Sequence, residues 1–553
     1  MSGDGTALET KPDLKPKGPT GVERWKWNRK KLFHWVVVVS AVLYSMWRFS
    51  VNEENVFLQQ EMRRAFKSSP YGLQRKMDDT HWEWKYTGHF VTRNWVWFLL
   101  HPLLGRATAG IAPSLVPVFY AVYTSLFLAV QIGWEVALAF LAQHAAFLAV
   151  AALRVPVFCY VLASLVLMQN KINDMSFFHH VYDNYGPETH MVTYVAFHWN
   201  ILRGLSFSLD FIHNEREKPE DSRSRWPPYW RTLAYVIYMP AVYLGPLQNY
   251  HDYAAQLDKA RPQCTLREMG AAITGVLRSC AHFLLVEVMA HYLYSSAMSQ
   301  WPWMIGKLDP ASLVGFGLSL LFFFYVRYVF NYGIAGALAR AEGIEIPPHA
   351  KCIVRLHRCS HFWRYFDRGM HLYIRRYFYE PVAGGRKGAA WLVLGTAASF
   401  AFTWFWHDME RSDGIWCALS VLGIAIEVLV VQARRSSFVK KLEVRAAKPA
   451  APSSLKQMRI DLLVASGYEW SRYLATPGRM REAKALIGSP HYLLTICACM
   501  FHLTELSVVL VLCRGVLFGF PFPLVPVLVV LYSACHVSFD VAEWEATDKR
   551  KQA

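Results

Sequence analysis

Charged side chains are scarce in this sequence. Of its 553 residues 18% are Asp, Glu, Lys or Arg and 54% are hydrophobic, whereas a soluble chain is about one-quarter charged. That deficit argues against a string of soluble domains and for one continuous membrane bundle. The ten cysteines lack paired metal-site spacing, and most fall within apolar runs. They read as buried thiols rather than a disulfide framework. A cleavable secretory signal is not expected, because the first apolar run starts near Leu32 and lacks a small-residue cleavage site. No internal repeat of the inverted-transporter kind is visible. The net charge of +17 comes without an aromatic-interleaved basic module, which sets nucleic acid aside as a partner.

What the chain has in quantity is aromatic and apolar sequence, with 21 Trp and 28 Tyr, as interfacial belts require. Apolar blocks lie at 32–47, 92–105, 111–133, 134–153, 155–169, 190–213, 229–247, 268–298, 311–339, 389–408, 414–433, 490–515 and 517–537. A crossing helix needs about 20 apolar residues. The blocks therefore predict an all-α polytopic bundle of about ten to twelve membrane helices, with some segments, 92–105 among them, re-entrant. Residues 1–31 read as a disordered basic arm, 32–540 as one transmembrane domain containing a basic loop at 434–489, and 541–553 as a basic tail. By the positive-inside rule the arm, loop and tail all face the cytosol. The hairpin of 389–408 and 414–433 then turns on the lumenal side, at His407, while Arg386 and Lys387 face the cytosol.

Two stretches put ionisable groups where lipid makes them costly. The first, HFWRYFDRGMHLYIRRYFYEPVAGG (361–385), lies in a helix expected over 352–381. At 100° per residue Arg364, Arg368, His371 and Arg375 share a wedge of about 60°. Trp363, Met370, Ile374 and Tyr377 form the adjoining apolar face, with Asp367 on the seam. The arginines either lie among lipid phosphates at the interface or clamp a polyanionic ligand. Asp367 either bridges Arg364 or Arg368 or serves chemistry. The second stretch is FTWFWHDME (402–410), where His407 sits among aromatics at the end of an apolar helix. Such surroundings disfavour a charged imidazole and leave it available as a general base; a hydrogen-bonded helix-end histidine is the alternative. Arg327, in LFFFYVRY, needs a partner or a phosphate, and Glu287 and His291 are spaced to bond each other as packing.

WRYFD (363–367) together with FWH (405–407) resembles the membrane-bound O-acyltransferases. Within them it is most similar to the branch that palmitoylates Hedgehog proteins. LAYVIYMPAVYLGP (233–246), EVMAHYLY (287–294) and LFFFYVRY (321–328) extend the similarity to about two-thirds of the chain. The resemblance implies a central tunnel entered by palmitoyl-CoA from the cytosol and by the N-terminal cysteine amine of a Hedgehog-type secreted protein from the lumen. It implies catalytic roles for His407 and Asp367 and a donor-site role for Trp363. It also implies Cys352 as the axial ligand of a structural haem b; no cofactor is expected for the chemistry itself. Arg364, Arg368 and Arg327 are the expected substrate-binding cations, and membrane lipids the surroundings. Asp408 stands where members of the family often have glycine. KRKQA at 549–553 is similar to a dilysine retrieval signal, which fits a multi-pass protein of the endoplasmic reticulum or Golgi membrane with both termini cytosolic. Acylation of a lipid or serine hydroxyl, or binding or transport of lipid without chemistry, are the alternative functions.

Overall fold

The computed structural model describes residues 27–55, 57, 66–172, 176–217, 226–257, 259, 265–353, 357–386, 388–434 and 477–552. The basic arm before Trp27, Lys387 and the basic loop at 435–476 lie outside them. The described chain is almost wholly helical, as the apolar blocks predict. Its longer helices are α1 (Arg29–Ser50), α2 (Trp82–Ile111), α3 (Val116–Phe127), α4 (Trp134–Ala152), α5 (Pro156–Ile172), α6 (Ser176–Glu217), α7 (Tyr229–Val236), α8 (Tyr250–Leu257), α9 (Leu266–Tyr292) and α10 (Pro310–Ala341). They continue with α11 (Cys359–Phe366), α12 (Arg368–Ile374), α13 (Ala389–Trp406), α14 (Arg411–Arg434), α15 (Pro477–Leu503), α16 (Leu506–Phe518) and α17 (Leu524–Gln552). Nine helical stretches among the described residues are long and apolar enough to cross a bilayer, and Pro156–Gln169 and Leu506–Phe518 are shorter apolar helices.

Helix α10 is the central post, packed along both α1 and α9. Its apolar side chains are buried nearly all round, which explains why its sequence shows no polar stripe. Asp309 caps its N-terminus through the amides of Ala311 and Ser312 and takes Arg48 from the end of α1 at 3.3 Å. The 92–105 block, expected to be short and re-entrant, is the interior of the longer, 30-residue α2, which is not among those nine stretches. One end of that helix pairs Glu83 with Arg327 of α10, and Arg106 near the other end donates to the Ala341 carbonyl at 2.7 Å. Residues 66–81 form a small hairpin, Lys67–Ser68 paired antiparallel with Lys76–Met77. It is tied to the end of α9 by Arg75, whose Nε donates to the His291 carbonyl at 2.6 Å. Glu287 and His291 do not bond each other through their side chains as the spacing suggests. The Glu287 carboxylate accepts from Trp84 Nε1 at 2.8 Å and Tyr71 Oη at 3.2 Å, while His291 Nδ1 bonds the Glu287 carbonyl at 2.6 Å.

One end of the bundle collects ion pairs. Lys31 at the start of α1 and Arg481 at the start of α15 both reach Asp540 of α17, at 3.6 and 2.6 Å, and Lys351 pairs with Glu545 at 3.1 Å. The start of α1 and the last turns of α17 therefore share this face. The tail expected beyond residue 540 continues α17 to Gln552. His407, Asp413 and His502 lie at the other ends of α13, α14 and α15.

Candidate active site

The helix expected over 352–381 is broken. Asp367 leaves α11 with φ −118° and ψ 93° and becomes the N-cap of α12, its Oδ1 accepting from the Met370 amide at 2.8 Å. An aspartate competes for local backbone donors and starts helices well, so the break occurs at the charged residue that periodicity placed on a seam. Its Oδ2 accepts from the Tyr332 hydroxyl of α10 at 2.6 Å. Among the described residues, neither Arg364 nor Arg368 bridges it. Burial pushes the Asp367 carboxyl up from its usual range, against the pull of the Tyr332 hydroxyl and the backbone amides. Gly369 makes the close approach possible, because a Cβ there would overlap the Leu247 carbonyl oxygen.

The break does not scatter the cationic wedge. His371, already disfavoured as a cation by burial, is pushed down to about 4 with help from Arg368, Arg364 and Arg375. The stretch then passes through one wide turn, Arg375–Tyr379, of the π kind that recurs at functional sites. Arg375 bonds Glu380 at 3.1 Å and Arg376 bonds Asp210 at 2.9 Å.

His407 closes α13 as its C-cap, its amide bonding the Thr403 and Trp404 carbonyls at 3.0 and 3.2 Å. Asp408 and Met409 follow with φ of 60° and 58°. This left-handed conformation suits glycine, though aspartate tolerates it better than most residues. Trp416 of α14, buried and not singled out in the sequence, joins the two motifs. It tilts against Trp363 at 5.0 Å, meets the His407 ring edge-on at 5.2 Å and stacks on His502 at 4.2 Å. Trp363 also meets Phe400 of α13 at 5.0 Å. These aromatic contacts are the physical link between WRYFD and FWH.

Both motifs open into one cavity of about 510 Å³, lined by Trp363, Arg364, Asp367, His371, Arg375, Thr396, His407 and His502 among others. That is an ordinary volume for a small-molecule site. Loop charge placed Asp367 and His407 toward opposite faces, yet they border a single space. The cavity follows α13 from Thr396 to His407, about 16 Å at helical rise. Ser360, which bonds Glu427 of α14, lies near its basic-face end. Its recorded lining includes Arg364 and Arg375 but not Arg368 or Arg327. Arg327 is buried and ion-paired with Glu83, so the structure gives it a protein partner in place of a phosphate.

Cys352 is half-buried, and its neighbour Ile353 lines a second cavity of about 490 Å³. Its wall is nearly all apolar, from α1, α10, α15 and α17, with Tyr492 donating to the Ile353 carbonyl at 2.7 Å. Among the described residues, His407, Asp413 and His502 form a group of three donor side chains near enough to hold a metal ion.

A profile of the membrane-bound O-acyltransferase family matches residues 119–451, three-fifths of the chain, including Asp367 and His407. The chain belongs to the membrane-bound O-acyltransferase family. As an acyltransferase it is similar to the protein-cysteine N-palmitoyltransferase Rasp of Drosophila melanogaster, 28% identical over 64% of this chain and 69% of the relative. It is similar also to the protein-cysteine N-palmitoyltransferase HHAT of Mus musculus, 29% identical over 40% of this chain and 44% of the relative. The membrane-bound O-acyltransferase GUP1 of Saccharomyces cerevisiae is 24% identical over 43% of this chain and 46% of its own length.

Proposed function

We propose that this acyltransferase moves a palmitoyl group from palmitoyl-CoA to the N-terminal cysteine amine of a Hedgehog-type secreted protein. The observation that carries the reading is the shared cavity, in which His407 and Asp367 meet a space that also admits Arg364 and Arg375. Similarity to relatives named protein-cysteine N-palmitoyltransferases supports the donor and the acceptor. The basic end, with Lys31, Arg481 and Lys351, is assigned to the cytosol by the positive-inside rule. His407 then opens toward the lumen of the endoplasmic reticulum or Golgi.

In this mechanism the cationic wedge holds the CoA phosphates at the cytosolic end and the thioester reaches past Trp363. An α-amine, with an unperturbed pKa near 8, is already partly neutral. Its nitrogen attacks the thioester carbonyl, His407 takes the nitrogen's proton, and the C–S bond breaks to release CoA thiolate. Asp367, held by Tyr332 and the α12 amide, receives the ammonium or orients the amine. Enclosure matters because exposing fourteen methylenes to water costs about 11 kcal/mol. The half-buried Cys352 is of a residue type that would hold a haem iron through its thiolate, and acyl transfer would draw no chemistry from that group.

The test is purified protein in detergent with labelled palmitoyl-CoA and a peptide beginning with Cys. Label should enter that peptide and not its N-acetylated form, and His407→Ala should lower turnover by about a hundredfold or more while acyl-CoA still binds. Equal labelling of the blocked peptide would overturn the amine as acceptor. The second reading, a hydroxyl acceptor, is supported by the similarity to the O-acyltransferase GUP1 and requires label to enter a serine peptide that lacks cysteine. Undiminished turnover in His407→Ala would falsify the base role.

A further inference from the structure

Beyond Asp367 and His407, one cluster at the opposite face has a geometry of its own. Asp413 in the first turn of α14 and His502 in the last turn of α15 are brought together although 89 residues apart, with His502 Nδ1 to Asp413 Oδ1 at 3.0 Å. Both are half-buried, with side chains 20% and 15% exposed. A carboxylate at Nδ1 fixes the tautomer that places the proton there and leaves Nε2 with a free lone pair. Trp416 stacks on the His502 ring at 4.2 Å and 17° and meets the His407 ring edge-on, so one buried indole sets both imidazoles. Their ring centres are 4.8 Å apart at 77°. One donor atom each from His407, Asp413 and His502 falls within 4.8 Å of the others. A polar separation longer than about 3.5 Å is one that a bridging water can span. His502 lies beyond the 119–451 stretch that defines the family match.

We propose that the Asp413–His502 pair is the proton outlet of the active site, with His502 a positioning residue that orients His407 and receives its proton. This rests on His407 acting as the base. The amine nitrogen forms its bond to the thioester carbon, and its proton passes to His407, through water to His502, and on to water at the lumenal mouth. The C–S electrons leave on the CoA thiolate, which takes a proton from cytosolic water. Atoms and charge balance as amine plus thioester giving amide plus thiol. The Asp413 charge stabilises the transient imidazolium on His502. Phe324 of α10 meets that ring edge-on at 5.7 Å, and Glu83, paired with Arg327, lies within electrostatic reach of it.

The experiment compares wild type, His407→Ala, His502→Gln and Asp413→Asn as full-length protein in detergent, with palmitoyl-CoA and the Cys peptide. His502→Gln should lower kcat about tenfold or more with the KM for palmitoyl-CoA within twofold. Asp413→Asn should lower kcat in the same way with the KM for palmitoyl-CoA within twofold, and Asp413→Glu should restore it. If His502→Gln does not fold, the Asp413→Asn and Asp413→Glu pair carries the test through the loss and rescue of kcat. An inactive His407→Ala beside wild-type kcat in both other variants overturns the outlet and leaves the base role standing. An active His407→Ala overturns both. Loss of activity on dialysis against EDTA, restored by Zn²⁺ alone, also overturns the outlet, since the three side chains would then be holding a metal.

Discussion

Asp367 combines a structural and a chemical task, and two substitutions separate them. Its carboxyl accepts from the buried Tyr332 hydroxyl at 2.6 Å and from the Met370 amide at 2.8 Å as the cap of α12. Asp367→Ala strands both donors. Each unsatisfied buried donor costs about 1–3 kcal/mol, and the second is already the cap, so no separate capping loss is added. The expected destabilisation is about 2–6 kcal/mol. Asp367→Asn should be nearly isosteric and neutral. Its amide oxygen serves Met370, while its NH₂ donates to Tyr332, whose hydroxyl turns to accept. What Asn cannot do is exchange a proton or attract an ammonium. Thermal unfolding in detergent should therefore show Asp367→Ala clearly below wild type and Asp367→Asn within about 1 kcal/mol of it. Turnover with the Cys peptide should fall at least tenfold in both. Wild-type turnover in Asp367→Asn would refute any chemical role and leave only the cap. Wild-type stability in Asp367→Ala would refute the account of why α11 and α12 separate at this residue.

Replacing Arg364 and Arg368 by Gln should raise the KM for palmitoyl-CoA about tenfold or more, as the loss of charged contacts requires, with kcat little changed; an effect confined to stability would make them interfacial anchors. Gly369→Ala should destabilise the protein by about 1–3 kcal/mol, since the new Cβ meets the Leu247 carbonyl; an unchanged Tm would show that α12 does not press on that backbone. His371 is held near 4 in the fold against 6.5 when unfolded, so between those values the unfolded chain binds a proton that the folded one does not. Its contribution is present above pH 6.5 and is lost as pH falls toward 4, reaching about 1–2 kcal/mol at pH 5. His371→Gln should lose less Tm than wild type between pH 7 and 5, and parallel curves would disprove the linkage.

The fold was legible because lipid imposes a simple rule. Apolar blocks of about 20 residues became helices of the bundle, and the ion pairs of Lys31, Arg481 and Asp540 put the start of α1 and the end of α17 on one face, as the distribution of basic residues requires. Helix α2 extends well beyond the 92–105 block because its polar residues are satisfied by other helices. Glu83 pairs with Arg327, Trp84 with Glu287 and Arg106 with the Ala341 carbonyl. A hydropathy pattern ends the block at those groups, whereas the folded neighbours neutralise them. The same blindness affected Arg327, whose partner lies 244 positions away in sequence.

At the candidate site, periodicity put Arg364, Arg368, His371 and Arg375 on one wedge; in the structure His371 still feels all three arginines, while Arg368 is not among the side chains that line the cavity. It could not show that a helix drawn through 352–381 stops at Asp367, because a helical wheel carries no term for a side chain that prefers to cap. That break has a consequence for the argument about sides. A continuous amphipathic helix would keep Asp367 at the interface, far from a histidine at the lumenal turn. Interrupted at Asp367 and turned inward onto Tyr332, the same residues reach a cavity that runs along α13 to His407. Trp416 and His502 escaped notice because nothing local marks them. One is a tryptophan in an apolar run, the other a histidine near the end of one, and only the packing of α14 against α13 and α15 gives them meaning. Charge distribution therefore predicts the face to which each helix end belongs, but a breach between faces arises where a helix breaks, and that depends on a cap.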